Sequence, residues 1–313
     1  MKPIRACLLF AALVAALLTL LLLLGRVHWL FELFTHFRLP CAIGFFLLTI
    51  ALLATKSFKS ALGVTVCLIL QLIPLSQHYL PFQKDTAIGS GPSLKIISFN
   101  ILRINKEYTQ VARFLERENP DLICLQEIDA AWLEGLSSLH RQFPYSKAHP
   151  TDKNTGLLLF SKFPLTQATI HVDSQLGTPY MTAQIDWNGQ PLTLINAHPY
   201  PPFNGSHAKH LKNTFERIRR DTAQSEHPTI VVGDFNCTAY AHSFTHLGPE
   251  LLDSARGRGY VASWKRGHPL LAIPIDQVLY SRDLVCHQRR IGPKNGSDHS
   301  PIIATLQARS QSR

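Results

Sequence analysis

VVGDFNC (231–237) is the stretch on which the reading of this chain turns. With Thr229 and Ile230 before it, Val231 and Val232 complete a run of β-branched residues, the composition of a buried strand. Gly233 follows, then Asp234 and Asn236, an acid and an amide two residues apart. A hydrophobic core asks for neither group, so this strand end is expected to carry chemistry rather than packing.

The same break recurs along the second part of the chain. Short apolar runs at 94–99, 122–125, 156–160, 180–187, 192–197, 229–232, 277–280 and 302–306 read as strands. Asn188-Gly189 between two of them signals a hairpin turn. Residues 108–118 and 206–224 have helical apolar spacing, with Asn119-Pro120 ending the first. Many strands and few helices predict sheet packed on sheet with helices outside. One strand runs into Asn100, the next into Gln126-Glu127, another into Asn196-Ala197-His198. Ile275 runs into Asp276, and Gly296-Ser297 leads to Asp298-His299. Any one of these alone reads as a turn residue, a solvated acid or a satisfied histidine. Six together predict convergence on one sheet edge, where rigid sites are built. Oxygen donors without thiolates suit Mg²⁺ or Mn²⁺ rather than zinc.

The strings SFNI (98–101), PDLICLQEID (120–129), TGLLLFSKFPL (155–165), NAHPYPP (196–202), GDFN (233–236), IDQVLY (275–280) and GSDHSPI (296–302) resemble, in order, the endonuclease/exonuclease/phosphatase (deoxyribonuclease I-like) family. The resemblance spans about residues 94–306, and a domain preceded by apolar spans is similar to the membrane-anchored bacterial branch. It implies a four-layer α/β sandwich of two mixed sheets flanked by helices, preceded by transmembrane helices, and metal-dependent cleavage of phosphate esters. It further implies that Glu127 ligates the divalent metal, with Asn100 beside it and Asp298 near or on it. Asp234 would orient or deprotonate the attacking water, and Asn236 would hold that water or a phosphate oxygen. His299 would face the phosphate with Asp276 bonded to its far nitrogen, and His198 would be a second phosphate-facing imidazole. Where the family often has histidine after the aspartate of the IDQ string, this chain has Gln277, a neighbour expected to point away from the site. Arg103 and Asn105 are read either as substrate contacts or as turn residues.

Charge divides the 313 residues. Residues 1–82 carry six Lys/Arg and one acid, Glu32; the remainder carries 25 Lys/Arg against 20 Asp/Glu. Half of the net +10 therefore sits in the apolar quarter, where it bears on membrane topology. Apolar stretches at 6–24, 41–55 and 60–77 approach the ~20 residues a bilayer core requires. A cleaved signal peptide is the rival for the first and a buried hairpin for the others. The expected organisation is an anchor of about three spans over 1–81, a linker over 82–93, and a catalytic domain over 94–309. Lys2, Arg5, Lys56 and Lys59 are expected on the cytoplasmic side, which places the domain on the extracytoplasmic side of a multi-pass inner or plasma membrane. The aromatic segment 28–37 suits the membrane interface. Six cysteines without metal-site spacing read as free thiols.

The expected function is a membrane-anchored, Mg²⁺-dependent phosphodiesterase or endonuclease acting on nucleic acid. The alternative is a phospholipid or sphingomyelin-type phosphodiesterase, and a rival of another class is an inactive tethered binding module. Basic residues on the 206–224 helix (Lys209, Lys212, Arg217, Arg219, Arg220) suggest either a solvated face or a wall drawing in an anionic substrate. No protein partner is predicted.

Overall fold

The computed structural model describes residues 2–80 and 88–309. Four helices come first: α1 (Lys2–Leu23), α2 (Trp29–Thr35), α3 (Arg38–Ala54) and α4 (Phe58–Leu75). α1 and α4, each with its trailing turn, are long and apolar enough to cross a membrane; α3 reaches that length only with α2, from which it is bent by 64°. Phe45, Leu52, Ala61 and Val64 pack inside this bundle, where small side chains let helices approach closely. Arg38 Nη1 donates to Gln71 Oε1 at 2.9 Å, tying the start of α3 to α4. At the other end of the antiparallel bundle Arg5 Nε donates to Ser57 Oγ at 3.2 Å, beside Lys56 and Lys59.

The rest of the chain runs β1 (Ile88–Asn100), α5 (Tyr108–Glu118), β2 (Leu122–Gln126), α6 (Ala130–Gly135), β3 (Tyr145–His149), β4 (Leu157–Ser161), β5 (Leu165–Val172), β6 (Pro179–Trp187), β7 (Gln190–Ala197), α7 (Gly205–Gln224), β8 (Thr229–Asp234), β9 (Leu251–Asp253), β10 (Asp276–Ser281), β11 (Leu284–Ile291) and β12 (Ile302–Arg309). Residues 82–87 of the expected linker lie outside the described residues. From Ile88 onward the chain is already strand, pairing Ile88 with Arg309 and Ser93 with Gln307.

The strands form two six-stranded mixed sheets, ordered β11-β12-β1-β2-β4-β3 and β5-β6-β7-β8-β10-β9. β1 and β2 are parallel, as are β7 and β8. Strand alternation builds the layers. Ile96, Cys124, Ile230 and Val232 face inward between the sheets. Ile97, Phe99 and Ile123 face outward under Val111, Phe114 and Leu115 of α5 and Trp132 of α6. Ile195 and Val231 face outward under Leu211, Phe215 and Ile218 of α7. Two sheets between two helical layers make the four-layer sandwich.

All eight strands read from sequence are present, and all lie inside the sheets. The four that reading missed, β3, β5, β9 and β11, are the four edges. An edge strand pairs on one side only and keeps polar residues, so its apolar pattern is thin; in β5 (LTQATIHV) no residue is fully buried. Local signals elsewhere act as expected. Asn119 closes α5 in the left-handed conformation, φ +46°. Asn188 and Gly189 turn the β6–β7 hairpin with φ +54° and +81°. The six cysteines are free thiols.

Candidate active site

β8 brings Asp234 to the end of the second sheet, directly opposite Asp276 on β10. The chain must turn sharply there. Gly233 has φ +145°, and a Cβ on it would meet the Ala197 carbonyl oxygen at 1.9 Å. Asn236 follows with φ +49°, its backbone N–H donating to Asp234 Oδ1 at 2.9 Å and its side chain to the Pro199 carbonyl at 3.0 Å. In the first sheet β2 delivers Glu127, itself at φ +66°. A Cβ on Gly156 would sit 1.8 Å from the Ile128 carbonyl oxygen, so only glycine lets the two loops close there. Two non-glycine residues in the left-handed region, one the carboxylate Glu127 itself and the other two residues after Asp234, mark a backbone held in place by its surroundings.

The side chains from the two sheets meet. Asn100 Nδ2 donates to Glu127 Oε1 and to Asp234 Oδ2, each at 3.0 Å. His198 Nε2 lies 3.4 Å from Asp234 Oδ2 and His299 Nε2 3.5 Å from the same oxygen. The far nitrogen of His299, Nδ1, is 2.8 Å from Asp276 Oδ2. Asp298 stands 4.0 Å from His299 Nε2, and its Oδ2 accepts from Trp264 Nε1 at 2.9 Å, with Lys265 Nζ at 3.2 Å. All eight residues singled out in the sequence therefore come together at one place.

Burial penalises charge here, and neighbouring charges overcome it. Burial would lower His299, but Asp276, Asp234 and Asp298 push it up to about 10. With those two further carboxylates within 4.0 Å, the proton of the His299–Asp276 pair belongs on the imidazole. His198 is also raised, burial being outweighed by Asp234 and Glu127. Burial would raise Asp234; the His299 and His198 cations and the Asn236 N–H hold it down at about 2 instead. Two cationic imidazoles around an ionised carboxylate can receive an anion and orient water.

The donor set fits a hard cation. Glu127 accepts only from the Asn100 amide and the Arg103 N–H (3.1 Å) among the described residues, leaving lone pairs free. Asp298 Oδ1 is buried without a hydrogen-bond partner among them. Asp234, Asp276 and His299 also bring donor atoms within 4.8 Å of one another. There, however, Asp276 Oδ2 and His299 Nδ1 already occupy each other, so Glu127 and Asp298 are the more open oxygen donors, while Asn100 turns its amino group to Glu127 and its Oδ1 to the Leu102 N–H.

Several supports were not singled out as such. Ser297 Oγ donates to the Asn100 carbonyl (2.8 Å) and accepts from the His299 N–H (3.0 Å), tying β1 to the loop before β12. Ser263 Oγ accepts from the N–H groups of Ile275 and Asp276. Gln126 Nε2 donates to Asn196 Oδ1 at 2.9 Å, joining the sheets beneath the site. Lone serines and amides give no sequence signal for such roles. Asn105 proves to be a turn residue, donating to the Ile101 and Asn295 carbonyls. Gln277 bonds the Pro274 carbonyl of its own loop (3.1 Å), away from the imidazole.

The sequence profile of the Endonuclease/Exonuclease/phosphatase family matches residues 97–299, about two thirds of the chain, and takes in the whole cluster from Asn100 to His299. The chain belongs to that family. A curated relative, the inositol phosphosphingolipids phospholipase C of Schizosaccharomyces pombe, is 25% identical over 182 residues, covering 48% of this chain and 42% of the relative. This chain thus matches less than half the relative's length. Two solved members share the sandwich. TDP2 of D. rerio, complexed with single strand DNA product, is 15% identical with TM-score 0.61, covering 70% of this chain and 100% of that one. The 3′ phosphatase NExo from Neisseria, bound to product DNA hairpin, is 16% identical with TM-score 0.58, covering 67% and 98%. At such identities the likeness concerns the endonuclease/exonuclease/phosphatase fold alone.

Proposed function

We propose that this chain is a divalent-metal-dependent phosphodiesterase, anchored by its first 81 residues with the catalytic domain (94–309) on the extracytoplasmic face of the membrane. The observation that carries the reading is the convergence of Asn100, His198 and His299 on one oxygen of Asp234, all within 3.5 Å. A carboxylate held at about 2 is ionised at every physiological pH. It accepts a hydrogen bond from water and aims the water's lone pair at phosphorus. The cationic imidazoles of His198 and His299 face the non-bridging oxygens, and Asp276 fixes the His299 ring. The Asn236 amide lies beside them as a neutral group that does not repel phosphate. Glu127 and Asp298 would hold Mg²⁺, or Mn²⁺, with Asn100 beside them positioning the Glu127 carboxylate. Such an ion, when bound, neutralises the phosphate and stabilises the leaving oxygen.

The membrane part of the reading rests on two or three helices apolar enough to span. It rests also on Lys2, Arg5, Lys56 and Lys59 gathering at the bundle end away from the domain. A reporter fused behind Arg313 and active only in the cytoplasm would reverse that orientation. Nucleic acid, the substrate that charge balance favoured, has less support. Arg217 is twelve residues into α7, roughly 18 Å from the helix end beside the site. It stacks on Tyr180 at 5.0 Å and pairs with Asp221. The basic face of α7 is therefore not a wall of the cavity.

The test uses the full chain in detergent micelles with bis(p-nitrophenyl) phosphate as a chain-free diester. Hydrolysis should require Mg²⁺ or Mn²⁺, stop with EDTA, and fall about 10²–10⁴-fold in Asp234→Ala. Equal rates for the variant and the native protein would overturn the assignment.

A further inference from the structure

We infer that helix α2 of the anchor, with the turn that follows it (36–37), forms one wall of the substrate cavity, and that the substrate is a membrane lipid phosphodiester whose chain begins against that wall. The inference rests on the phosphodiesterase reading above and specifies its substrate class. The cavity has a volume of about 520 Å³. Its floor is the polar cluster around Asp234; its sides include Leu33 and Phe37 from the anchor, with Leu102, Phe203 and Ile273 from the domain. One space thus joins a phosphate-type site to an apolar channel, the two halves of an amphiphile.

α2 is docked on the domain, not merely near it. Both Glu32 carboxylate oxygens accept from Ser243, the one from its hydroxyl at 2.7 Å. His36 Nδ1 is 2.9 Å from Thr238 Oγ1, and Tyr240 donates to the His36 carbonyl at 2.9 Å. Thr238 is two residues beyond Asn236, so the anchor grips the loop that leaves the site. On the other side Trp29 Nε1 lies 3.5 Å from where a Gly205 Cβ would stand, at the start of α7.

The placement suits a lipid and not a polyanion. α2 is bent by 64° from α3, so it lies across the end of the bundle where the bilayer interface would be. Its outer face leaves Leu30 and Phe34 exposed by 45% and 42%, and Phe203 on the cavity rim is 69% exposed. A phosphate at Asp234 would then sit near headgroup level with its apolar chain leading to the membrane. The α2 sequence WLFELFT has no lysine or arginine, and its one charge, Glu32, is committed to Ser243. A nucleic acid passing this wall would bring further phosphates with no cation to meet them. Hydrolysis adds water across one P–O ester bond, giving a phosphate monoester and an alcohol.

The test compares the full chain in mixed micelles across phosphatidylcholines of increasing acyl length, single-stranded DNA and bis(p-nitrophenyl) phosphate. Burying each methylene is worth about a fourfold gain. Native kcat/KM should therefore rise at least about tenfold from the shortest to the longest chain. Phe37→Asn and Leu33→Asn should flatten that rise to under about threefold, and Phe37→Leu should keep it. A readout independent of turnover uses Asp234→Ala with a phosphatidylcholine carrying a photoactivatable group at the start of its chain. Adducts should map to residues 29–37, and this serves also should an asparagine variant fail to fold. Three results each overturn the inference: no chain-length dependence in the native protein, an undiminished rise in both asparagine variants, or DNA cleaved with higher kcat/KM than every lipid. Adducts only outside residues 29–37 do the same. If bis(p-nitrophenyl) phosphate too is untouched, the phosphodiesterase reading itself has failed.

Discussion

The floor of the cavity and its α2 wall are built on different terms. On the floor most of the polar side chains are buried, and they converge on one another. Asp234 alone touches Asn100, His198, His299 and its own loop. The wall is a seven-residue helix held by Glu32, His36 and Tyr240. In a dry network each charge acts at low dielectric, so one missing partner costs much. An apolar wall adds affinity methylene by methylene. On the proposed reading, reaction type and substrate choice rest on separate lengths of chain, and they should fail separately.

The largest expected loss is on the floor. His299→Gln removes the cation facing the phosphate and should lower kcat by about 10²–10³-fold in diester assays, a size typical of deleting one transition-state donor. A wall substitution with an equal effect on the chain-free diester would erase the distinction. Next comes the backbone beneath the floor. Gly233→Ala forces a Cβ to 1.9 Å from the Ala197 oxygen at φ +145° and should cost about 1–3 kcal/mol in urea unfolding.

A sharper test is pH. In the native protein His299 keeps its proton until pH rises through about 10. Burial favours the neutral ring and the carboxylates favour the cation. Asp276→Asn removes the strongest of those carboxylates, so the alkaline limb of kcat/KM should move downward, toward the ordinary histidine range. An unmoved limb means that His299 does not act as a cation. The smallest effect belongs to the wall's fastening. Glu32→Ala deletes its bonds to Ser243. It should cost about 1 kcal/mol, or about 2–4 °C in Tm, raising KM for lipid severalfold with a smaller change in kcat.

The same divide explains what the sequence made legible. The floor announces itself because acids, amides and histidines interrupt strands made of valine, leucine and isoleucine, as at Val232–Asn236. The eight inner strands are legible because both faces are buried and little polarity intrudes. β3, β5, β9 and β11 escape because a sheet edge needs only half a pattern. The supporting serines escape because a serine costs nothing on any surface; only the fold shows that Ser297 holds both Asn100 and His299. The role of α2 escapes for another reason. WLFELFT reads as interfacial from its aromatics, but its docking depends on Ser243, Thr238 and Tyr240, some two hundred residues away.

The Asn100 side chain has a consequence for assembly. Its Oδ1 accepts from the Leu102 N–H at 3.0 Å, and its one amino group serves Glu127 and Asp234 together. Those partners are 27 and 134 residues away, one at the end of each sheet. Closing the longer loop is slow and entropically costly, so this tie belongs among the last to form during folding. A nascent chain that ends before β8 holds Asn100 and Glu127 but not Asp234, and it lacks β11 and β12 of the first sheet as well. The cluster around Asn100 is therefore incomplete until both sheets have met, so on the proposed reading the domain would become competent only once it is whole.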